Sequence, residues 1–392
     1  MATVSLINKV KYSKTLYTAY FYVGTFAIRF LKLFLKKDDN LIIYNSYGGQ
    51  RYDDSPKVIY DLMIKDDRFN NCKIVWAFVE PEKFDIPRGR KTKVDTLQYY
   101  ITLLRARIWI TNTAMTRGLD FKGINSFVFN TWHGTPIKKL GADMKESKNA
   151  FIPKSKTKLA DLLLAQGQYD KEIYARCYNL PLQNIKILGL PRNDELQNDS
   201  GAGRINEIKN KLGIYNKRVI LYAPTFREYE REGSNCIMSL PVNFEKWESL
   251  LGGEYVLLLR AHHEVVKLMN VKENGFIKNV SSYTELNELM IVSDILISDY
   301  SSIFFDYSIL NRPMFSFSYD YEKYNEERGL YFDIRKELQC MDLNNEDKLL
   351  DAIIHMNEEE RVSITKDFRK KYVQAYGDAG RKSLDIIHSL LN

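Results

Sequence analysis

The chain lacks most of the short motifs that mark common enzyme classes. It has four cysteines, Cys72, Cys177, Cys236 and Cys340, which lie far apart without a Cys-x-x-Cys spacing. This distribution argues against a zinc site and for reduced, cytosolic thiols, so no metal ligand set is predicted. There is no Walker loop, no GxGxxG after the first predicted strand, no HExxH and no GxSxG. The kinase, dehydrogenase, metalloprotease and hydrolase classes therefore lack their usual signals.

Acidic residues are missing from the first 37 positions. This segment carries all of the formal excess charge of +7, on Lys9, Lys11, Lys14, Arg29, Lys32, Lys36 and Lys37. A nucleic-acid-binding protein usually spreads basic charge along its working face. Because the excess is confined to one segment, no nucleic-acid partner is predicted.

The same segment also lacks an apolar run long enough to span a bilayer. Its uninterrupted run covers residues 16–28, which is shorter than the ~20 residues that a spanning helix requires. Aromatic residues interleave with Arg29, Lys32 and Lys36, a pattern typical of a helix lying in an anionic membrane surface. We therefore assign residues 1–38 to a membrane-associating helix. An amphipathic helix packed on the protein's own core is the alternative.

After residue 38, strand-like and helix-like patterns alternate along the chain. The length of 392 residues fits two domains. A polar stretch at residues 196–216 suggests the boundary, which gives domains at 39–200 and 201–392. Alternating patterns of this kind predict an α/β fold with parallel βαβ units, in which ligands bind at the carboxyl ends of the strands.

Chemically capable side chains cluster just after predicted strands. His133 and His262 occupy such loops, and histidine is suited to moving a proton near neutral pH. Arg260 shares an extended face with His262, so both could reach a phosphate. Ser301 and Ser302 precede an apolar helix, and Thr225 and Arg227 form a further possible phosphate contact. Asp299 has two alternative roles, to orient a base or to orient a ribose.

Six motifs occur in an order that resembles the CDP-glycerol glycerophosphotransferases, the teichoic-acid primases and polymerases, and related capsule enzymes. The motifs are NTWHGTPIKKLG at 130–141, GLPRND at 189–194, YAPTFR at 222–227, LLRAH at 258–262, SDYSSIFFDY at 298–307 and RGLYFD at 328–333. The resemblance covers roughly residues 41–333.

The resemblance implies two Rossmann-like domains facing across a cleft, as in GT-B enzymes, and a peripheral location at the cytoplasmic face of the membrane. It implies His133 as the base, His262 as a second essential histidine, and Ser301 and Ser302 as donor-phosphate serines. The full predicted donor side comprises Arg260, Ser301, Ser302, Thr225, Arg227, Asp299, Tyr319, Asp320 and Arg328. The predicted acceptor side comprises Gly48, Gly49, Trp132, Gly134 and Thr135.

The reaction expected from the resemblance transfers glycerol phosphate from CDP-glycerol to a hydroxyl of a lipid-linked polyprenyl-diphosphate acceptor and releases CMP. A CDP-ribitol donor, a GT-B glycosyltransferase using a nucleotide sugar and a scaffold without catalysis are the alternatives. No cofactor is assigned, and the sequence leaves open a divalent cation requirement, the oligomeric state, primase or polymerase activity, and a wall or capsule product.

Overall fold

The protein divides into two compact units in the computed structural model. The structure describes residues 13–144, 159–227, 229–232, 235–236 and 239–392, with the side chains of 231–238 and 263–264 excluded. The first unit contains Met1–His133, Gly141–Arg192 and Asp378–Asn392, and the second contains Gly134–Leu140 and Asn193–Gly377. Lys9, Lys11 and the side chain of Cys236, which the sequence analysis considered, lie outside the described residues.

The first unit is built on a seven-stranded parallel sheet of order β3-β2-β1-β4-β5-β6-β7. Its elements are α1 (Lys14–Lys32), β1 (Asp38–Asn45), α2 (Asp54–Met63), β2 (Lys73–Phe78), β3 (Arg90–Lys93), α3 (Leu97–Arg105), β4 (Ala106–Thr111), β5 (Phe127–Asn130), β6 (Leu162–Ala165), α4 (Gln168–Tyr178) and β7 (Ile185–Ile187). The buried parts of the central strands β1 and β4 are mostly apolar because both faces of a parallel sheet are covered.

The second unit contains a five-stranded parallel sheet of order β12-β11-β8-β13-β14. Its elements are α5 (Asp194–Asn198), α6 (Ala202–Leu212), β8 (Arg218–Tyr222), β9 (Arg231–Glu232), β10 (Asn235–Cys236), α7 (Phe244–Leu251), β11 (Tyr255–Leu259), α8 (His263–Leu268), β12 (Ile277–Asn279), α9 (Leu286–Val292), β13 (Ile295–Ser298), α10 (Ile303–Ser308), β14 (Met314–Ser316), α11 (Tyr321–Arg328), α12 (Ile334–Glu337), α13 (Glu346–Ile354) and α14 (Glu358–Tyr372). β9 and β10 form a separate antiparallel pair.

Both parallel sheets share one strand order. In each sheet, the first strand is third from one edge, the strands that neighbour it on that side come next in the order β2-β3 or β11-β12, and the remaining strands extend to the other side. The order reverses between β1 and β4 in the first unit and between β8 and β13 in the second. Open α/β sheets bind ligands at the carboxyl ends of the strands beside such a reversal, the topological switch point.

The predicted α/β class with parallel sheets is confirmed, whereas the facing of the two units across a cleft stays a prediction. The sequence predicts ten strands, which the structure contains within a residue or two at most ends. The predicted runs are 41–46, 72–78, 108–112, 126–130, 162–165, 185–188, 219–223, 255–259, 295–297 and 313–317. The edge strands β3 and β12 were missed because they are short and mostly polar, with the sequences RKTK and IKN. An edge strand is paired on one side alone and needs less apolar surface than a central strand.

Helix α1 packs one face on the first unit and exposes the other. Its buried positions are Phe21, Thr25 and Ile28, and Arg29 pairs with Asp120 at 2.8 Å. Lys32 donates to the carbonyl oxygens of Lys122 and Gly123. The exposed face carries Tyr22, Val23, Phe26 and Phe30, and Leu33 and Phe34 follow the helix. Throughout the described ranges, no helix combines the length and apolarity needed to cross a membrane.

The observed division differs from the predicted boundary of 200/201 in three places. The boundary itself lies between Arg192 and Asn193. The last helix, α15 (Ala379–Leu391), belongs to the first unit and packs against α2, although the sequence analysis placed residues 378–392 in the second domain. The physical reason is that Leu384 and Ile387 complete the core beneath α2. The segment Gly134–Leu140 belongs to the second unit, where Lys138 bridges Leu330.

Candidate active site

Two hydrogen bonds join the loop after β1 to the loop after β4 at the switch point of the first unit. The backbone N–H of Tyr47 donates to Asn112 Oδ1 at 2.8 Å, and the N–H of Gly48 donates to Thr113 Oγ1 at 3.1 Å. Tyr47 and Gly48 both have positive φ angles, of 45° and 65°. These bonds satisfy two backbone N–H groups that lie in a tight turn, where no β-sheet pairing provides an acceptor.

His133 is held in one tautomer by the same loop. Its Nδ1 lies 2.8 Å from the carbonyl oxygen of Asn112, and because a carbonyl oxygen can only accept, Nδ1 carries the proton. The imidazole stacks on Trp132, with ring centres 4.3 Å apart. Nε2 forms no hydrogen bond with the described part of the chain, so its lone pair is available. A histidine in this state can act as a general base.

Burial, together with a nearby positive charge, keeps the imidazole of His133 neutral. Burial lowers the pKa of His133 below its ordinary value of 6.5, and the positive charge of Arg192 lowers it further. The hydrogen bond to Asn112 and the negative charge of Asp54 act in the opposite direction without cancelling the effect. The imidazole therefore retains its Nε2 lone pair at neutral pH.

A buried ion pair lies beside the histidine. Asp54 is 4% exposed and pairs with Arg192 at 2.7 Å. It also accepts the hydroxyl of Tyr47 at 2.6 Å, while the ring of Tyr47 lies 5.8 Å from that of His133. Burial alone would raise the pKa of Asp54, but Arg192 and Tyr47 more than offset it and lower the pKa. The carboxylate is therefore ionised and holds the tyrosine ring in place.

The structure groups the predicted acceptor-side residues of the first unit near His133. Gly48 and Gly49 form the turn after β1, and Trp132 contacts the imidazole directly. Gly49 has a φ of 88°, and a Cβ atom there would lie 3.0 Å from the carbonyl oxygen of Ala77, so only glycine fits without strain. Gly134 and Thr135 follow His133 in sequence but belong to the second unit, where both are buried.

In the second unit, Arg227 is a buried structural cation. Its side chain is 0% exposed and pairs with Asp299 at 2.9 Å and with Asp320 at 2.7 Å. The rings of Tyr300, Tyr319 and Tyr324 lie within 5.4 Å of its guanidinium carbon. The sequence analysis expected Arg227 to bind a phosphate and the two aspartates to bind the donor. Here they pair with one another instead, because a charge removed from water requires an opposite charge.

This pairing joins the ends of three strands. Arg227 follows β8, Asp299 follows β13 and Asp320 follows β14. Asp299 also accepts the backbone N–H groups of Thr225 and Tyr300. The network thus fixes the loops that flank the second switch point.

The small hydroxyl residues of the loops after β8 and β13 have hydrogen-bonding capacity left, although the hydroxyl oxygen of Thr225 is buried. Thr225 Oγ1 has no hydrogen-bond partner among the described residues. Ser301 Oγ accepts the N–H of Ile303 at 3.3 Å, and Ser302 precedes α10 without a side-chain cap bond. Both serines are partly exposed. Hydroxyl groups of this kind can donate to phosphate oxygens.

The structure brings His262 and Arg260 to the end of β11 but gives them different surroundings. His262 stacks on Phe226, with ring centres 4.4 Å apart, so it lies beside the loop after β8. Arg260 Nη1 donates to the carbonyl oxygens of Val280 and Tyr283, which fixes the loop after β12. Tyr319 packs on Phe317 and faces Arg227, and Arg328 ends α11 with partial exposure.

The sequence analysis missed Tyr47, Asp54, Asn112 and Arg192 as site residues. Asn112 ends a strand-like run and Arg192 lies in the GLPRND motif, so both carried a positional signal. The sequence around Asp54 carried no such signal, because the role of this residue depends on Arg192, 138 positions away.

Two parallel sheets with polar loops at both switch points define an α/β class of protein that binds ligands at the carboxyl ends of its strands. The family model of CDP-glycerol:poly(glycerophosphate) glycerophosphotransferase matches residues 27–391. The chain therefore belongs to this family of enzymes, as the six motifs predicted.

Named relatives agree with the family. The chain is 35% identical over 321 residues to a teichoic acid poly(glycerol phosphate) polymerase of Staphylococcus epidermidis, covering 77% of this chain but 44% of the relative. It is 33% identical over 341 residues to the teichoic acid glycerol-phosphate transferase of Staphylococcus aureus, covering 81% of this chain and 84% of that protein. The chain thus spans less than half of the first relative and most of the second.

Among solved structures, the wall teichoic acid polymerase TagF superposes with a TM-score of 0.81 at 29% identity, covering 95% of this chain and 98% of that one. A TagF variant with a substituted histidine, soaked with CDPG, superposes with a TM-score of 0.80.

We expect His133 to titrate below pH 6.5, since burial and Arg192 disfavour its charged form. Asp54→Asn should lower the midpoint further, and Arg192→Gln should raise it. The measurement is NMR of histidines labelled at Cε1, with the resonance assigned through His133→Gln. Because the folded pKa is below the unfolded one, this residue's contribution to stability is present above pH 6.5 and is lost as pH falls. A wild-type midpoint at or above 6.5 would contradict the assigned environment.

Replacing Arg227 with Met should destabilise the second unit by about 3–5 kcal/mol, because Asp299 and Asp320 would remain buried without their cation. Urea unfolding followed by circular dichroism measures this loss. The matched control is Lys370→Met, whose side chain is 71% exposed and pairs loosely with Asp367 at 3.5 Å. It should change stability by less than about 0.5 kcal/mol. Equal, small effects of both substitutions would show that Arg227 is not a structural cation.

Proposed function

We propose that this protein transfers glycerol phosphate from CDP-glycerol to a hydroxyl of a lipid-linked polyprenyl-diphosphate acceptor and releases CMP. The observation that carries the proposal is the neutral His133, whose Nδ1–H is bound to Asn112 while Nε2 remains available at the first switch point. Membership of the glycerophosphotransferase family supports the choice of donor.

In the proposed reaction, the acceptor hydroxyl gives its proton to Nε2 of His133. The acceptor oxygen forms a bond to the β-phosphorus of CDP-glycerol, and the bond from that phosphorus to the bridging oxygen breaks. CMP leaves with the electron pair of this oxygen. CMP is a good leaving group, so the reaction requires no strong general acid.

The residues of the second unit would bind the donor. The hydroxyls of Ser301, Ser302 and Thr225 are suited to phosphate oxygens, and His262 lies beside the same loops. Phosphoryl transfer depends mainly on positioning and on electrostatic stabilisation. Arg260 and Arg227 would serve this step by fixing loops, since both donate to neighbouring protein groups.

His133→Ala should reduce CMP release at least about 100-fold, the usual contribution of a general base, while the affinity for CDP-glycerol changes little. Calorimetry measures donor binding, and chromatography measures CMP with a defined lipid acceptor. Equal loss of binding and turnover would contradict the role of a base.

The same assay separates the proposed donor from its alternatives. Wild-type protein is offered CDP-glycerol, CDP-ribitol and a UDP-sugar in parallel, and mass analysis identifies the product. CMP release with CDP-ribitol alone would make the protein a ribitolphosphotransferase. Transfer from the UDP-sugar alone would make it a glycosyltransferase, and no transfer from any donor would favour a scaffold.

We further propose that α1 places the protein on the cytoplasmic face of the membrane as a peripheral protein. The support is its exposed apolar face, on which Val23 is 67% and Phe26 70% exposed although both are large apolar residues. An exposed apolar patch of this kind marks an interaction surface. Arg29 and Lys32 bind the protein itself, so the remaining lysines would supply most of the attraction to anionic lipid.

The double variant Val23→Asp and Phe26→Asp should lose most of its sedimentation with vesicles containing phosphatidylglycerol. The fold should survive because both side chains are exposed. Leu97→Asp is the matched control, since Leu97 is 65% exposed on the same unit, at the start of α3. If the double variant sediments like wild type, the anchor lies elsewhere.

A further inference from the structure

An exposed arginine, Arg51, shares an aromatic neighbour with the proposed base and pairs loosely with one carboxylate. The side chain of Arg51 is 58% exposed, and its nearest carboxylate, on Asp53, lies 3.7 Å away, beyond hydrogen-bond distance. The other arginines of this region are bound tightly. Arg117 forms two hydrogen bonds to Asp95, at 2.9 and 2.8 Å, and Arg192 pairs with Asp54.

Arg51 is held in place by an aromatic ring instead. Its guanidinium carbon lies 4.8 Å from the ring centre of Tyr47, and its backbone bridges that of Ser46 in antiparallel fashion. Stacking on an aromatic face orders the flat guanidinium without using its N–H donors. The donors therefore remain available to an anion.

The same tyrosine ring connects the cation to the base. The ring centre of Tyr47 lies 5.8 Å from that of His133. Its hydroxyl is bound to the buried Asp54, and its backbone N–H is bound to Asn112. The ring cannot rotate away without breaking the bond of its hydroxyl to Asp54, so Arg51 and His133 both lie beside one fixed aromatic ring.

We propose that Arg51 binds the phosphodiester that precedes the attacking hydroxyl of the acceptor. This inference rests on the proposed function, because it assumes that the hydroxyl reaches His133. In a glycerol-phosphate acceptor, one glycerol unit separates the terminal hydroxyl from the preceding phosphate. Arg51 and His133 lie 4.8 and 5.8 Å from the ring centre of Tyr47, so an anion at the first and a hydroxyl at the second would both lie beside this one ring. A guanidinium binds phosphate oxygens through two parallel hydrogen bonds.

The subsite would favour an acceptor that already carries glycerol phosphate over one that ends in an uncharged sugar. Arg51 would then act on acceptor affinity rather than on the chemical step, since it is not placed to touch the reacting phosphorus. The prediction separates the acceptor KM from both kcat and the donor KM.

The test measures steady-state kinetics of wild type, Arg51→Gln and Arg51→Lys with two lipid acceptors, one ending in glycerol phosphate and one ending in the sugar. We expect Arg51→Gln to raise the KM of the phosphate-bearing acceptor about tenfold, with kcat and the KM of CDP-glycerol nearly unchanged. The sugar-terminated acceptor should show no change. Arg51→Lys should recover part of the loss, because it keeps the charge but not the paired donors.

Arg381→Gln is the matched control, because Arg381 is 76% exposed on the same unit and pairs loosely with Asp378 at 4.0 Å. It should leave every kinetic constant unchanged. Equal effects on both acceptors, or a raised KM for CDP-glycerol instead, would overturn the subsite.

A binding experiment separates failure of the subsite from failure of the proposed function. Glycerophosphoglycerol, a soluble phosphodiester, is titrated into wild type and Arg51→Gln by calorimetry. Weaker binding to the variant supports the subsite even if wild type shows no turnover with CDP-glycerol. Equal binding, or no binding to either, overturns it even if CMP release is observed.

Discussion

The hydrogen bond from Nδ1–H of His133 to the carbonyl oxygen of Asn112 is the interaction on which the chemistry of the first unit depends. It selects the tautomer, and burial then keeps the ring neutral, so that Nε2 is a base rather than an acid. The side chain of Asn112 holds the backbone of Tyr47 as well. Asn112, the residue after β4, therefore positions both His133 and the neighbouring Tyr47. A shift of this loop would move both residues together.

In the second unit, ion pairs fix the positions of the loops that follow the strands. Three loops leave neighbouring parallel strands, and nothing in the ladder fixes them once the strands end. Arg227 joins them through Asp299 and Asp320, with tyrosine rings closing the cluster. A buried ion network of this kind adds little net stability compared with an apolar core, but it fails sharply when one member is removed. Its value lies in specifying one loop geometry around Ser301 and Thr225.

Sequence patterns were sufficient for the central part of this fold. Apolar runs such as 295–297 and 255–259 predict buried parallel strands because such strands are apolar on both faces, and the structure has strands at Ile295–Ser298 and Tyr255–Leu259. The edge strands Arg90–Lys93 and Ile277–Asn279 were not predicted, because they are short and mostly polar. The assignment of α15 to the first unit depends on which core accepts its apolar face, and a linear pattern holds no information on that choice. The sequence alone predicts His133 as a site residue because its loop combines glycine, proline and a titratable side chain. The role of Asp54 depends on a distant partner, Arg192.

Two arginines show why residue type and position after a strand do not determine function. Arg51 and Arg227 both follow the first strand of their sheet, and both contact aromatic rings. Arg227 is fully buried between two carboxylates, so its donors are spent within the protein. Arg51 is 58% exposed, and its nearest carboxylate is too distant for a hydrogen bond. Desolvation decides between the two roles: a buried guanidinium must be neutralised by the fold, and an exposed one that is ordered by stacking can be neutralised by a ligand.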